Sequence, residues 1–304
     1  MRIESAVHFA AALVFAPLLL GIINRTKALV AGRTGPPLLQ AYFDIFKLLG
    51  KGAVYSRATT WVFRLGPAAG LAAVALALAF IPFGGAPALF PFSGDFLLVV
   101  YLLAAARFAT VAAALDTGSS FEGMGASRET QFSALAEPAL LLGIIAVARA
   151  ASGAESLSAC LGAIDGRTWA ASGPALALAA AAWFTVFLAE NARIPVDDPQ
   201  THLELTMIHE VMVLDHGGPD LGYIHYAAAL KMWVLGALLA ALLIPVRTGV
   251  WAIDGAAAAA GMVLLAVLVG VVESSMARLR LVRVPQLLIA ASTLSVLALI
   301  LLMR

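Results

Sequence analysis

Eight runs of predominantly apolar residues divide this chain, at positions 7–23, 61–83, 96–115, 132–148, 174–189, 223–246, 255–272 and 284–303. A hydrocarbon core about 30 Å thick, crossed at 1.5 Å per residue, takes roughly 20 apolar residues. The eight runs qualify as spans, although the fourth and fifth are short for a full crossing and each ends at ionisable residues. Composition agrees: 62% of the residues are hydrophobic and 12% charged, with a mean hydropathy of +0.95, which a soluble domain could not hide. The expected fold is an all-α integral membrane protein, one polytopic domain over residues 1–304 with eight transmembrane helices. The first run is read as a retained span, because Arg25 and Lys27 follow it rather than precede it as in a signal peptide.

Orientation follows from the positive charges outside the runs, since cation-rich short loops stay on the cytoplasmic side. One set of loops holds eleven: Arg25, Lys27, Arg33, Lys47, Lys51, Arg57, Arg128, Arg193, Arg278, Arg280 and Arg283. The opposite set, with both termini, holds five: Arg2, Arg149, Arg167, Arg247 and Arg304. Both termini are expected outside, and the long loops 24–60 and 190–222 in the cytoplasm of a multi-pass cytoplasmic (inner) membrane protein.

Three ionisable residues interrupt the runs: Arg107, Glu137 and Lys231. A charge at the bilayer centre costs about 2.5 to 3.5 kcal/mol on insertion scales, and such residues mark ion or substrate pathways. The alternative is that Arg107 and Lys231 lock helices together through buried pairs. Glu190 closes the fifth run with Arg193 three residues on, at contact spacing if the helix continues, and that makes it a candidate entrance for a proton relay.

The two long loops carry the remaining signals. In the first, Gly32, Gly35, Pro36 and Pro37 precede residues 38–51, where Gln40, Asp44, Lys47 and Lys51 form one polar stripe on an otherwise apolar helix. This suits a helix lying in the headgroup region or under a partner, with an ordinary amphipathic connector as the alternative. In the second, Asp198 before Pro199 reads as an N-cap and first helical position, so a helix should start there and run toward Asp215. His202, His209 and His216 would then share a face, but seven residues rise about 10.5 Å and cannot converge on one metal ion. Seven acids crowd this loop, among them Glu190, Asp197, Asp198, Glu204 and Glu210, with a solvated face as the ordinary explanation.

Several chemistries are excluded. The single Cys160 allows neither an intrachain disulfide nor a cysteine-ligated cluster. A net charge of +1 without a basic, aromatic-interleaved run gives no reason to expect nucleic acid. There is no phosphate loop and no nucleophile elbow, and His8 and His225 fall at opposite ends of their spans, too far apart to hold one haem, which leaves a haem among the cytoplasmic histidines as a weakly supported alternative.

The stretch ENARIPVDDPQTHLELTMIHE resembles the signature loop of the complex I subunit 1 family, and more closely its hydrogenase branch, found in formate hydrogenlyase, hydrogenase-4 and other membrane-bound nickel-iron hydrogenases. GRTGPPLLQAYFDIFKLLGK at 32–51 and DTGSSFEGMGASRETQFSALAEPALLLG at 116–143 agree with it, so the resemblance spans the chain. It implies a subunit of an oxidoreductase complex that anchors a soluble redox arm and couples its electron transfer to proton or sodium movement. No redox centre is implied on this chain; iron-sulfur clusters and the nickel-iron site belong to partners. Those partners are hydrogenase large and small subunits and an iron-sulfur subunit on the cytoplasmic side, antiporter-like subunits in the membrane, and the lipid bilayer itself.

By motif position the resemblance assigns an ion pathway to Glu137, Glu190 and Asp116, and a redox-arm interface to Asp44, Lys47, Arg128, Glu129, Arg193, Asp197, Asp198, His202, Glu204, His209 and Glu210, while Arg107 and Lys231, as charges inside spans, are expected to balance charge along that pathway. Glu122 stands where a small or neutral residue is expected and carries little weight. The loop departs from the more acidic pattern of the quinone-reducing branch. A quinone-site subunit of an NADH-quinone oxidoreductase-like complex and a stand-alone secondary transporter remain as alternatives; the latter commonly shows two similar halves, and no repeat is visible here.

Overall fold

A computed structural model describes residues 3–198 and 205–303. Ten α-helices follow one another among the described residues: α1 (Ile3–Val30), α2 (Gln40–Leu49), α3 (Trp61–Leu78), α4 (Asp95–Asp116), α5 (Ser120–Ala150), α6 (Leu157–Ala163), α7 (Gly166–Glu190), α8 (Gly218–Leu243), α9 (Trp251–Ser275) and α10 (Val284–Leu302). Eight segments are long and apolar enough to span a membrane, all but α2 and α6, the last beginning in the short 3-10 turn at Leu281.

The eight expected spans are present, with shifted ends. The fourth and fifth are not short: α5 runs 31 residues and α7 runs 25. The first three turns of α5 are polar, and one face of them, with Glu122 and Glu129, is almost fully covered by protein while Phe121, Ser127 and Gln131 are exposed, so hydropathy could not mark them. α7 starts early because Asp165 caps it, accepting the Thr168 N–H at 2.8 Å, and because a non-helical kink at Ser172 accommodates Pro174. α3 ends at Leu78 rather than at 83: Pro82 and the positive-φ pair Gly84 and Gly85 turn the chain there. α1 extends to Val30, which carries Arg25 and Lys27 on its last turns, where cations favour the helix dipole.

α8 is the axis of the bundle, with 72% of its apolar window buried, against 28% for α4 and α10. It packs on α1, α2, α3, α7 and α9, while α5 and α10 pair on the α7 side and α3 pairs with α4. α2 lies along α1 and α8, with the Tyr42 hydroxyl donating to the Val14 carbonyl at 2.6 Å and only Ile45 fully buried. Its outward side shows Phe43 and Phe46 as well as the expected polar stripe.

Over the described residues 205–215, the expected helix is corrected: 205–209 form a turn, and a four-residue 3-10 helix, Glu210–Val213, is the helical stretch described there before α8. The cause is competition by a side chain: Asp197 Oδ2 accepts the backbone N–H groups of Ile208 and His209 at 3.2 and 3.1 Å, partners a helix would have used. Pro199, His202 and Glu204 lie outside the described residues.

Candidate functional site

Arg107 projects from the middle of α4 toward two carboxylates on α5 and one on α7. Its Nη1 lies 2.6 Å from Glu137, its Nε 3.3 Å from Glu129, and its Nη2 3.0 Å from Glu190. Glu129 and Glu137 are separated by about two helical turns, roughly 12 Å of rise, so one extended guanidinium bridges them. Its planar fork suits several carboxylates at once, as a lysine would not. Lys231 of α8 approaches Glu190 from the other side at 3.5 Å. Unpaired, each of these groups would be costly inside the bundle; pairing offsets the desolvation.

The chain of charges continues inward. His209 Nε2 lies 3.0 Å from Glu129, and its Nδ1 hydrogen-bonds Asp197 at 3.2 Å. With a carboxylate on each ring nitrogen, the imidazole holds both protons and a positive charge. Burial alone would lower its proton affinity, but the Glu129 charge and the bonds to Asp197 and Glu129 outweigh that and raise its pKa to about 10. Burial likewise pushes Asp197 up, while the His209 ring and backbone bonds and Arg278 more than reverse it and hold the carboxyl below its ordinary range. Arg278, on the α9–α10 connection, closes the run at 2.9 Å from Asp197.

Signs therefore alternate along Arg278, Asp197, His209, Glu129, Arg107, Glu190 and Lys231, with Glu137 branching from Arg107. Four cations face four carboxylates, so the network is neutral as it stands. Glu137 retains 35% side-chain exposure, whereas Glu190 is 8% exposed. A cavity of about 260 Å³ adjoins the network; Arg107, Glu129, Glu190, His209 and Lys231 line its polar part, and Leu20, Pro67, Leu71, Val74 and Ile224 its apolar walls.

Of the residues singled out in the sequence, Arg107, Glu129, Glu137, Glu190, Asp197, His209 and Lys231 are brought together. Arg193 is not where spacing placed it: α7 stops at Glu190, the chain turns through Ala192 at positive φ, and Arg193 pairs with Glu273 of α9 at 3.4 Å, beside Lys27 at 2.8 Å. Asp116 stands apart as a structural group that caps α3, accepting the backbone N–H of Thr60 and Phe63. Asp44 is bonded to Gln40 at 2.8 Å, and Lys47 is exposed on the same helix. Arg128 holds the segment before α8, donating to the carbonyls of Met207 and Leu205 at 2.7 Å each. Asp198 follows Asp197 and donates its N–H to that carboxylate, and Glu210 opens the 3-10 turn at the cavity wall.

His209 and His216 do not share a face: His216 stacks on Phe63 with ring centroids 3.9 Å apart. Sequence reasoning missed Arg278, Glu273 and Lys27 as members of these ion pairs. It also discounted Glu122, which is fully buried and accepts the Asp215 N–H at 3.1 Å. A usable signal existed for Glu273, a lone acid in the last turn of an apolar helix.

The family described as NADH dehydrogenase matches residues 3–304. Formate hydrogenlyase subunit 4 of Escherichia coli K12 is 34% identical over 299 residues, covering 94% of this chain and 92% of the relative. Hydrogenase-4 component C of the same organism is 31% identical over 235 residues, 77% of this chain and 72% of the relative. A chain in the structure of the membrane-bound sulfane sulfur reductase, an archaeal respiratory membrane complex, has the same fold, with a TM-score of 0.83 over 98% of each chain at 21% identity. Matched along nearly its whole length, and with those two Escherichia coli proteins as relatives, the chain belongs to the hydrogenase branch of the NADH dehydrogenase subunit 1 family.

Proposed function

We propose that this chain is the membrane-anchoring and ion-coupling subunit of a multisubunit hydrogenase of the formate hydrogenlyase type. The observation that carries the reading is the run of alternating charges from the inner loop at Arg278 and Asp197 to Lys231 and Glu137 inside the bundle. Hydrogenase subunits and an iron-sulfur subunit dock on the cytoplasmic loops and hold the redox centres. The membrane is the cytoplasmic one, with both termini outside, as the excess of cations in the inner loops supports.

The mechanism is electrostatic. Reduction of an iron-sulfur cluster in a docked arm would supply a negative charge beside the loop that bears Asp197 and His209, the residues that would feel it first. At an effective dielectric of about 20, a unit charge 4 Å away amounts to about 4 kcal/mol, or roughly three pKa units. In a neutral run of alternating ion pairs, such a change at one end re-partners each neighbour in turn: His209 shifts between Asp197 and Glu129, and Arg107 among Glu129, Glu190 and Glu137. The carboxylates released in this way bind or give up a proton. The partial exposure of Glu137 within a span supports an exit through the side of the bundle to an adjoining antiporter-like subunit, since a bare carboxylate facing lipid would cost about 3 kcal/mol.

A second reading has its own observation in its favour. The cavity, apolar along α1, α3 and α8 and ionic at its far end, suits an amphipathic molecule with a polar head, as a quinone-site subunit would hold. Copurification in mild detergent separates the two. The hydrogenase reading predicts nickel and a hydrogenase large subunit with this chain, and turnover indifferent to quinone-site inhibitors. Flavin, a reducible quinone and inhibitor-sensitive turnover would replace it with the second.

A further inference from the structure

The inner end of the network is secured by the α9–α10 connection, a segment with no part in the sequence signatures. We propose that Arg278 is a positioning residue of the ion-coupling network: it holds Asp197 in the orientation that sets His209 against Glu129. The inference rests on the ion-coupling reading above.

The geometry divides the Asp197 carboxylate between two tasks. Oδ1 meets Arg278 Nη2 at 2.9 Å and the Asp198 N–H at 2.9 Å. Oδ2 takes the Ile208 and His209 N–H groups and the His209 ring. The same guanidinium reaches Thr206, at its hydroxyl (3.3 Å) and its carbonyl, so it grips the turn that delivers His209 as well as the acid that orients it. Beside it the Leu279 N–H donates to the Pro195 carbonyl at 2.9 Å. Arg128 grips the turn from α5 through the Leu205 and Met207 carbonyls. Arg278 thus adds a charge on Asp197 to a hold on the backbone.

The groups facing His209 are Glu129 from α5 and Asp197 from the segment after α7. Arg278 and Arg128 lie behind Asp197, Arg107 lies behind Glu129, and Glu190 lines the same small space. Removing the cation behind Asp197 leaves more negative charge for His209, which then holds its proton more tightly. A cycle that starts from the protonated His209 then keeps running to a higher pH.

Sealed vesicles carrying the assembled complex test this, with ion uptake per electron measured against pH for wild type, R278Q and R278K. R278Q should move the alkaline limb of ion uptake upward by about one pH unit, the scale of a neighbouring charge, and lower the ions moved per electron while the soluble arm still transfers electrons. R278K keeps the charge but loses the fork onto Thr206, and should keep the wild-type limb. A wild-type limb and ratio in R278Q would overturn the proposal. So would an assembled R278K with a displaced limb, because the grip on Thr206 would then be the whole role; if R278Q does not assemble, R278K decides alone. If wild-type vesicles take up no ion, the underlying reading fails and this one with it.

Discussion

His209 carries its charge as part of the fold, because each ring nitrogen faces a carboxylate, Glu129 at 3.0 Å and Asp197 at 3.2 Å. Replacing it with glutamine leaves two buried acids around a neutral group, a change expected to destabilise by about 3 kcal/mol or more. The histidine pKa rises on folding from 6.5 to about 10, so the stability it contributes is complete below about pH 6.5 and is lost as pH rises through about 10. Asp197 works in the opposite sense: held below its ordinary 3.8, it contributes above that range and loses its contribution as pH falls. Thermal unfolding of the detergent-solubilised complex should therefore show a decline between pH 6.5 and 10 in wild type that H209Q lacks; parallel curves would contradict the paired imidazolium. At this scale the sequence was half legible. Glu190, Glu137, Arg107 and Lys231 stood out because charge is rare in apolar runs. The partners Glu273 and Arg278 did not, because they meet Arg193 and Asp197 across about 80 residues of chain, which no local spacing encodes.

α5 brings the helix-borne and loop-borne parts of the network together. One turn before Glu129, Gly125 lets the segment 208–213 sit directly on the helix: a Cβ there would lie 2.3 Å from Val211 Cγ1, 2.9 Å from Met212 Cγ and 3.0 Å from the Ile208 carbonyl. G125A should push that segment away and part His209 from Glu129, at the 1 to 3 kcal/mol that overpacking commonly costs. Limited proteolysis should then cut the inner loop faster in G125A than in wild type, and equal rates would show that the contact is slack. Elements were legible wherever lipid-scale hydropathy defined them, and illegible where protein replaced lipid. The polar start of α5 and the capped, kinked start of α7 were read as loop. The helix expected to reach Asp215 is a turn over 205–209, because a carboxylate took the N–H groups of Ile208 and His209 that helical carbonyls would have bonded.

Across the whole molecule, α8 holds Lys231 at the centre of the bundle while α4, α5 and α7 surround it with Arg107 and three glutamates. The eight spans and the family were legible from hydropathy and three loop motifs; the balance of four cations against four acids was not, because it exists only once six separate segments meet. A neutral network is poised to answer a change of charge at one end with a proton at the other, and Glu137 is its most exposed member. The most direct test is the number of ions moved per electron by sealed vesicles carrying the assembled complex, compared between wild type and E137Q. The account predicts that E137Q loses ion movement while electron transfer in the soluble arm continues; an unchanged ratio would contradict it.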